Sequence, residues 1–127
     1  MSVQDQQKFK ELFLQTAGGH IGIIKKGLSD STDPQSLEKA YISAHSLKSQ
    51  SQVMGYMSMA QIALIIEKTL KAIQKDIPTT KQLEKQKLLD LTTFITDNLE
   101  AIKTTGNELN SENIIKKAES VFADYLN

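Results

Sequence analysis

The chain has 127 residues, which suits one domain with a single hydrophobic core. Its 15 acidic residues balance 15 basic residues, all of them lysine, so the net charge of zero and the lack of arginine argue against nucleic-acid binding. Cysteine is absent, which excludes disulfides, thiol catalysis and thiolate metal sites.

Hydrophobic spacing predicts five helices and no strand. The first helix is expected over about residues 5–28. Three glycines in its middle, Gly18, Gly19 and Gly22, weaken it and predict a kink or an early break. The residues expected to pack against the rest of the protein are Phe9, Leu12, Phe13, Thr16, His20, Ile23 and Ile24.

The second and third helices have the clearest periodicity. The second is expected from Pro34 to about Met54, because Asp33 and Pro34 form a strong start and Gly55 a typical end. Its packing stripe is Leu37, Ala40, Ala44, Leu47, Ser51 and Met54. The third is expected over residues 59–75 with Ser58 as its cap, and its stripe is Met59, Ile62, Ala63, Ile66, Leu70 and Ile73.

Residues 78–80, Pro-Thr-Thr, are expected to separate the third helix from a long fourth helix. The packing stripe of the fourth helix is Leu88, Leu91, Ile95, Leu99 and Ile102. This helix ends near Thr104, before Gly106 and Asn107, and a fifth opens after Ser111. These elements predict an all-α, up-and-down helical bundle formed by a single domain over residues 1–127. Four of the helices form its core, and the first or the last packs alongside.

The residues with chemical potential are concentrated on the second helix. At about 100° per residue, Lys48 and Ser49 flank His45 and Gln52 lies nearly beneath it, away from the packing stripe. His45 is therefore expected to be at least partly in solvent, where most histidines are inert. A neutral imidazole can nevertheless attack phosphorus when a carboxylate holds its other ring nitrogen and a cation balances the charge. Glu67 and Lys48 are the candidates for these two roles.

Residues 44–70, AHSLKSQSQVMGYMSMAQIALIIEKTL, resemble the signature of histidine-containing phosphotransfer (HPt) domains. That signature has a histidine, a lysine three residues later, a glycine ten residues after the histidine, and an acid within the next apolar helix. His45, Lys48, Gly55 and Glu67 occupy these positions. The helix order is also similar to the N-terminal phosphotransfer domain of chemotaxis-type histidine kinases. The resemblance implies a four-helix HPt core with a fifth helix.

The resemblance also implies a function. His45 would accept a phosphoryl group on Nε2 and transfer it to or from the aspartate of a response-regulator receiver domain, with a histidine kinase as the other partner. Glu67 would hold Nδ1, and Lys48 would lie beside the phosphoryl oxygens. The second and third helices would form the docking face. Nothing in the chain resembles an ATP site, so no stand-alone kinase activity and no cofactor are expected. The chain has only two histidines, far apart in sequence, so no metal site is expected either.

Two residues depart from the family pattern. Ser49 stands where the family usually has glycine, and Gln52 stands where a small residue is common. Together with Gly55, they are expected to belong to the partner-binding region. The alternative hypothesis is an adaptor, a helical module that binds a receiver or a kinase without carrying phosphate.

The expected surroundings of the protein follow from two further features. The longest apolar run, residues 62–66, is too short to span a bilayer. The polar N-terminus lacks the features of a secretory signal. We therefore expect a cytoplasmic protein with no membrane partner, monomeric as an isolated domain.

Overall fold

The computed structural model describes residues 2–30, 33–75 and 82–126, and all regular structure within these residues is helical. The helices are α1 (Val3–Ser29), α2 (Pro34–Val53), α3 (Met57–Lys75), α4 (Gln82–Thr105), α5 (Glu112–Val121) and α6 (Ala123–Leu126). The break expected at Pro78, Thr79 and Thr80 lies outside the described residues. Over the described ranges, no helix combines the length and the apolar character that crossing a membrane requires.

The first four helices form a closed four-helix bundle. α1 packs against α2 and α4, and α3 packs against the same two helices from the other side. α5 and α6 both pack against α3 on the outside of the bundle. The predicted all-α bundle is thus confirmed, and it is the end of the chain, rather than α1, that packs alongside the core.

The predicted packing stripes of α2, α3 and α4 are confirmed. Within them almost every apolar residue is buried, because each helix turns one continuous face toward its neighbours. The largest side chains that are fully buried in these three helices are Leu37, Leu47, Met59, Ile62, Ile66, Leu70, Leu88, Ile95 and Ile102.

The predicted packing face of α1 is partly wrong. Phe13 and Ile24 are buried, but Phe9 is 51% exposed, Leu12 59% and Ile23 42%. Those three residues lie on a neighbouring face of the helix, whereas α2 and α4 cover the face that begins at Phe13. The helix also runs unbroken through its glycines, since packing along the buried face outweighs their low helix propensity.

The predicted fifth helix is interrupted at Phe122, which the structure places between α5 and α6. The backbone of Phe122 leaves the helical region at φ −103° and ψ 19°, while its side chain is only 1% exposed. The change of direction allows α6 to pack against α3. Burial of Phe122 thus accounts for a break that periodicity alone does not reveal.

A tight turn joins α2 to α3 and positions the two helices side by side. Gly55 adopts φ +80°, a conformation that residues with a side chain rarely take. The amide of Gly55 donates to the carbonyl of Gln52, and that of Tyr56 donates to the carbonyl of Ser51. This pair of bonds is a Schellman motif, which ends α2 and satisfies its last carbonyls.

The beginning of α3 is capped from a distant part of the chain. The helix starts at Met57, so Ser58 lies inside its first turn and is not the cap that we expected. Instead, the Glu108 carboxylate accepts a hydrogen bond from the Met59 amide at 2.8 Å. A carboxylate at this position satisfies a free amide and complements the positive end of the helix dipole.

α1 and α2 approach closely at Gly27. A Cβ atom at Gly27 would lie 2.5 Å from the Ala40 Cβ and 2.7 Å from the Ser36 carbonyl oxygen. We expect Gly27→Ala to lower the free energy of unfolding by roughly 1–3 kcal/mol, because the two backbones must separate. Gly22→Ala is the matched control in the same helix: a Cβ there meets nothing within 4 Å, and the substitution should stabilise by about 0.5–1 kcal/mol.

Urea unfolding of the wild type and both variants measures these effects. Changes of the same sign in the two variants would contradict the close contact at Gly27.

Candidate functional site

His45 and Glu67 meet where α2 lies against α3, although they are 22 residues apart. The Nδ1 atom of His45 is hydrogen bonded to Oε1 of Glu67. The histidine side chain is 55% exposed, whereas that of Glu67 is only 9% exposed. The imidazole is thus anchored at one nitrogen from inside the protein, and within the described residues no hydrogen bond reaches Nε2.

The partner of Nδ1 determines the tautomer of the ring. An ionised carboxylate only accepts hydrogen bonds, so Nδ1 must carry the proton that is donated to Glu67. In the neutral ring the lone pair then lies on Nε2. The exposed edge of His45 therefore carries a nucleophilic nitrogen.

Lys48 completes the cluster, on the Nδ1 side of the ring. Its Nζ donates to Oε2 of Glu67 at 3.0 Å and lies 3.5 Å from Nδ1 of His45. The lysine side chain is 18% exposed. A buried carboxylate is costly unless it is paired, and this requirement accounts for Lys48 turning toward Glu67 in this structure.

The three other predicted site residues do not join this cluster. Ser49 is half-buried on the side of α2 that faces α1, and Gln52 is exposed about two turns from His45. No hydrogen bond among the described residues links either side chain to His45, Lys48 or Glu67. Gly55 has a structural explanation in the turn that ends α2.

An apolar groove opens between α1 and α2, next to the exposed edge of the cluster. We call it the α1–α2 groove; it has a volume of about 330 Å³. Its walls are formed by Phe9, Leu12, Phe13, Thr16, Ser49, Gln50, Val53 and Met54. Val53 is 86% exposed, so the surface has a strongly apolar rim.

Sequence reasoning missed this groove because it assigned Phe9 and Leu12 to the core. One signal was available: Val53 lies outside the packing stripe of α2, and an apolar residue there has no partner within the bundle. The two helices approach closely at Gly27, whereas the groove lies near the other end of the pair.

A second histidine lies between the same two helices. Nε2 of His20 is 3.5 Å from the Gln50 side-chain nitrogen. Nδ1 of His20 and Oε1 of Gln50 are buried, and neither has a hydrogen-bond partner within the described residues. Burial lowers the pKa of His20 below its usual 6.5, because desolvation disfavours the charged ring.

The lowered pKa of His20 predicts a pH dependence of stability. As the pH falls below about 6.5, the unfolded chain binds the proton before the folded protein does, so the free energy of unfolding decreases toward the folded-state pKa. We expect His20→Gln to lose less stability than the wild type between about pH 7 and pH 5.5. Urea unfolding across this range measures the difference, and parallel curves for the two proteins would contradict the prediction.

Comparison with known families places this geometry in context. A family model described as the Hpt domain matches residues 8–105. The match begins in α1, includes the whole His45 cluster and ends with α4, before α5 begins. No curated protein sequence and no solved structure gives a significant match to the chain.

Proposed function

This chain belongs to the Hpt domain family, and from that membership we propose that it is a phosphorelay intermediate in which His45 carries the phosphoryl group. One observation carries the choice of residue. The Nδ1 atom of His45 is held by the buried carboxylate of Glu67, while the ring is 55% exposed. That arrangement leaves Nε2 as an accessible nucleophile with a defined lone pair.

The proposed reaction is a phosphoryl exchange between His45 and a receiver aspartate. The Nε2 lone pair attacks the phosphorus of the aspartyl phosphate. The P–N bond forms as the P–O bond to the aspartate breaks, and the aspartate leaves as a carboxylate. The proton on Nδ1 stays in place, and the reverse reaction passes the group to another receiver. Nδ1 stays hydrogen bonded to Glu67 whether His45 accepts or donates the phosphoryl group, so the ring does not need to rearrange between the two steps.

Glu67 and Lys48 have complementary electrostatic roles in this proposal. Formation of the P–N bond places positive charge on the imidazole, which the Glu67 carboxylate stabilises. A carboxylate alone would repel the incoming phosphoryl oxygens. Lys48, 3.0 Å from Glu67, balances that charge, so the cluster of Glu67, Lys48 and neutral His45 has no net charge.

The α1–α2 groove is the proposed docking surface for the receiver domain. Ser49, in its wall, lies one helical turn beyond His45 on α2, so the groove adjoins the reactive ring. The apolar side chains along its rim, with Phe9, Leu12 and Val53 all more than half exposed, suit the apolar centre of a protein interface. Our expectation from the sequence was a docking face on α2 and α3. The exposed apolar side chains favour α1 and α2 instead.

The second candidate function is the adaptor, which binds a receiver without accepting phosphate. It is favoured by Ser49 and Gln52, which replace small family residues on the same helix as His45. Serine and glutamine are larger than the residues they replace, so they leave less room on the α2 surface beyond His45 that a receiver would approach. The adaptor needs the groove but does not need the nucleophile.

The test is to incubate the protein with a panel of phosphorylated receiver domains and with histidine kinases plus ATP. We expect acid-labile, base-stable phosphate on the protein, and mass spectrometry should assign it to His45 rather than His20, the two histidines of the chain. Label on His20 or on a hydroxyl side chain would overturn the proposal. A receiver that binds tightly at the groove and transfers no label would favour the adaptor.

A further inference from the structure

A second groove lies between α4 and α5, and we call it the α4–α5 groove. Both helices flank α3, yet they leave a gap of about 320 Å³ between them. The floor includes Leu91, Ala118 and Phe122, all of them buried. An opening of this kind between two helices is a common docking site for a third helix.

The walls of the α4–α5 groove are apolar and have helical spacing. Leu91 and Phe94 are three residues apart on α4, and Ile114 and Val121 are seven residues apart on α5. Phe94, Ile114 and Val121 are only partly buried by the rest of the protein. At 1.5 Å per residue, the α5 wall thus presents about two turns of apolar surface, roughly 10 Å long, and the α4 wall about one turn.

The rim of the groove is positively charged on both sides. Lys87 lies on the α4 wall and Lys117 on the α5 wall, and neither forms an ion pair with any residue that the structure describes. Among the described residues of the lining, Asp90 is the only carboxylate, and it already accepts a hydrogen bond from Gln86 at 3.1 Å. An occupant with carboxylates on both flanks would meet two cations that have no ion-pair partner among the described residues.

The groove is separate from the site proposed for phosphotransfer. Residues 8–105 match the family model, so one wall belongs to the family domain and the other, α5, lies beyond it. His45 lies on α2, which contacts α1 and α3 but neither α4 nor α5. An occupant of the α4–α5 groove would therefore leave the His45 surface free.

From these observations we propose that the α4–α5 groove binds an acidic amphipathic helix of a partner protein. Apolar side chains repeating every three or four residues fill the groove, and glutamates or aspartates on both sides of that stripe pair with Lys87 and Lys117. Opposite charges at an apolar groove add selectivity to the affinity that burial provides. Such a contact holds a partner while His45 exchanges its phosphoryl group with a receiver elsewhere on the surface.

The probe is a synthetic 18-residue amphipathic helix with a leucine stripe flanked by glutamates, compared with the same peptide flanked by lysines. We expect the glutamate peptide to bind about tenfold more tightly, a difference consistent with two exposed ion pairs. Amide chemical-shift changes should centre on Leu91, Phe94, Ile114 and Val121. The double variant Lys87→Glu with Lys117→Glu should reverse the preference between the two peptides.

The matched control replaces two exposed lysines outside the groove, Lys39→Glu with Lys103→Glu, and should keep the preference for the glutamate peptide. Equal binding of both peptides, no binding, or shift changes centred on the α1–α2 groove would overturn the proposal. Self-association of the protein that the Lys87→Glu, Lys117→Glu variant abolishes would also overturn it, because the occupant would then be a second copy of the chain.

Discussion

Replacing His45 by glutamine is expected to abolish phosphorylation and to leave receiver binding almost unchanged. The glutamine amide has no nucleophilic nitrogen, so the P–N bond cannot form, and label should fall to background. The side chain is 55% exposed and lies beside the α1–α2 groove rather than in its wall. The dissociation constant for the receiver should therefore change by less than about threefold, an effect below 1 kcal/mol.

His20→Gln is the matched control, since it removes the other histidine and should retain full labelling. Titration of the receiver into the wild type and both variants separates binding from transfer. Label that persists in the His45 variant would show that another residue accepts the phosphate. Loss of binding together with label would place His45 within the docking surface.

Replacing Glu67 should slow phosphorylation of His45 without preventing it. In metal sites, loss of the group that orients a ligating histidine costs roughly 10- to 100-fold in affinity or activity, and we expect a loss of that order here. In Glu67→Gln the amide oxygen still accepts a hydrogen bond from Nδ1, but the charge that stabilises the phosphorylated ring is gone. In Glu67→Ala the ring loses its anchor, and Lys48, only 18% exposed, loses its ionic partner. We therefore expect the rate of His45 phosphorylation to be highest in the wild type, lower in Glu67→Gln and lowest in Glu67→Ala.

Initial rates of label transfer from one phosphorylated receiver, at a saturating concentration, measure this order. Glu119→Gln, an exposed carboxylate on α5, controls for the change in net charge and should match the wild type. Equal rates in all four proteins would show that the bond between Nδ1 and Glu67 has no part in the reaction. A slower rate only at low receiver concentration would assign Glu67 to docking.

Two members of the candidate site, His45 and Lys48, were predictable as neighbours because their spacing is local. His45 and Lys48 are one turn apart on a helix whose start is marked by an N-cap residue, Asp33, followed by Pro34 at the first helical position. Glu67 was identified as an acid within an apolar helix, and such a residue requires a partner when buried. The contact of Lys48 with Glu67 was not predicted, because it depends on how α2 and α3 are positioned across the turn at Gly55.

The exposed face of α1 was the largest error in the fold. The helical spacing of Phe9, Leu12 and Ile23 is as regular as that of the residues that are buried. Hydrophobicity alone does not say which of two adjacent faces of a helix a neighbouring helix covers. The cap of α3 was missed for a related reason. Glu108 reaches Met59 from a loop 49 residues away, and no local pattern encodes such a contact.

The sequence by itself determined that this protein is a helical bundle and which faces of α2, α3 and α4 are buried. It also determined that His45, with Lys48 one turn away and Glu67 on the next helix, is the candidate histidine. These features depend on a period of about 3.6 residues and on capping groups that lie within a few residues of each other. Tertiary structure alone decided which apolar residues stay in solvent, and therefore where the two grooves open. The reason is that burial depends on how closely two helices approach. Gly27 allows α1 and α2 to pack closely at one end, whereas α4 and α5 each pack on α3 and leave a gap between them.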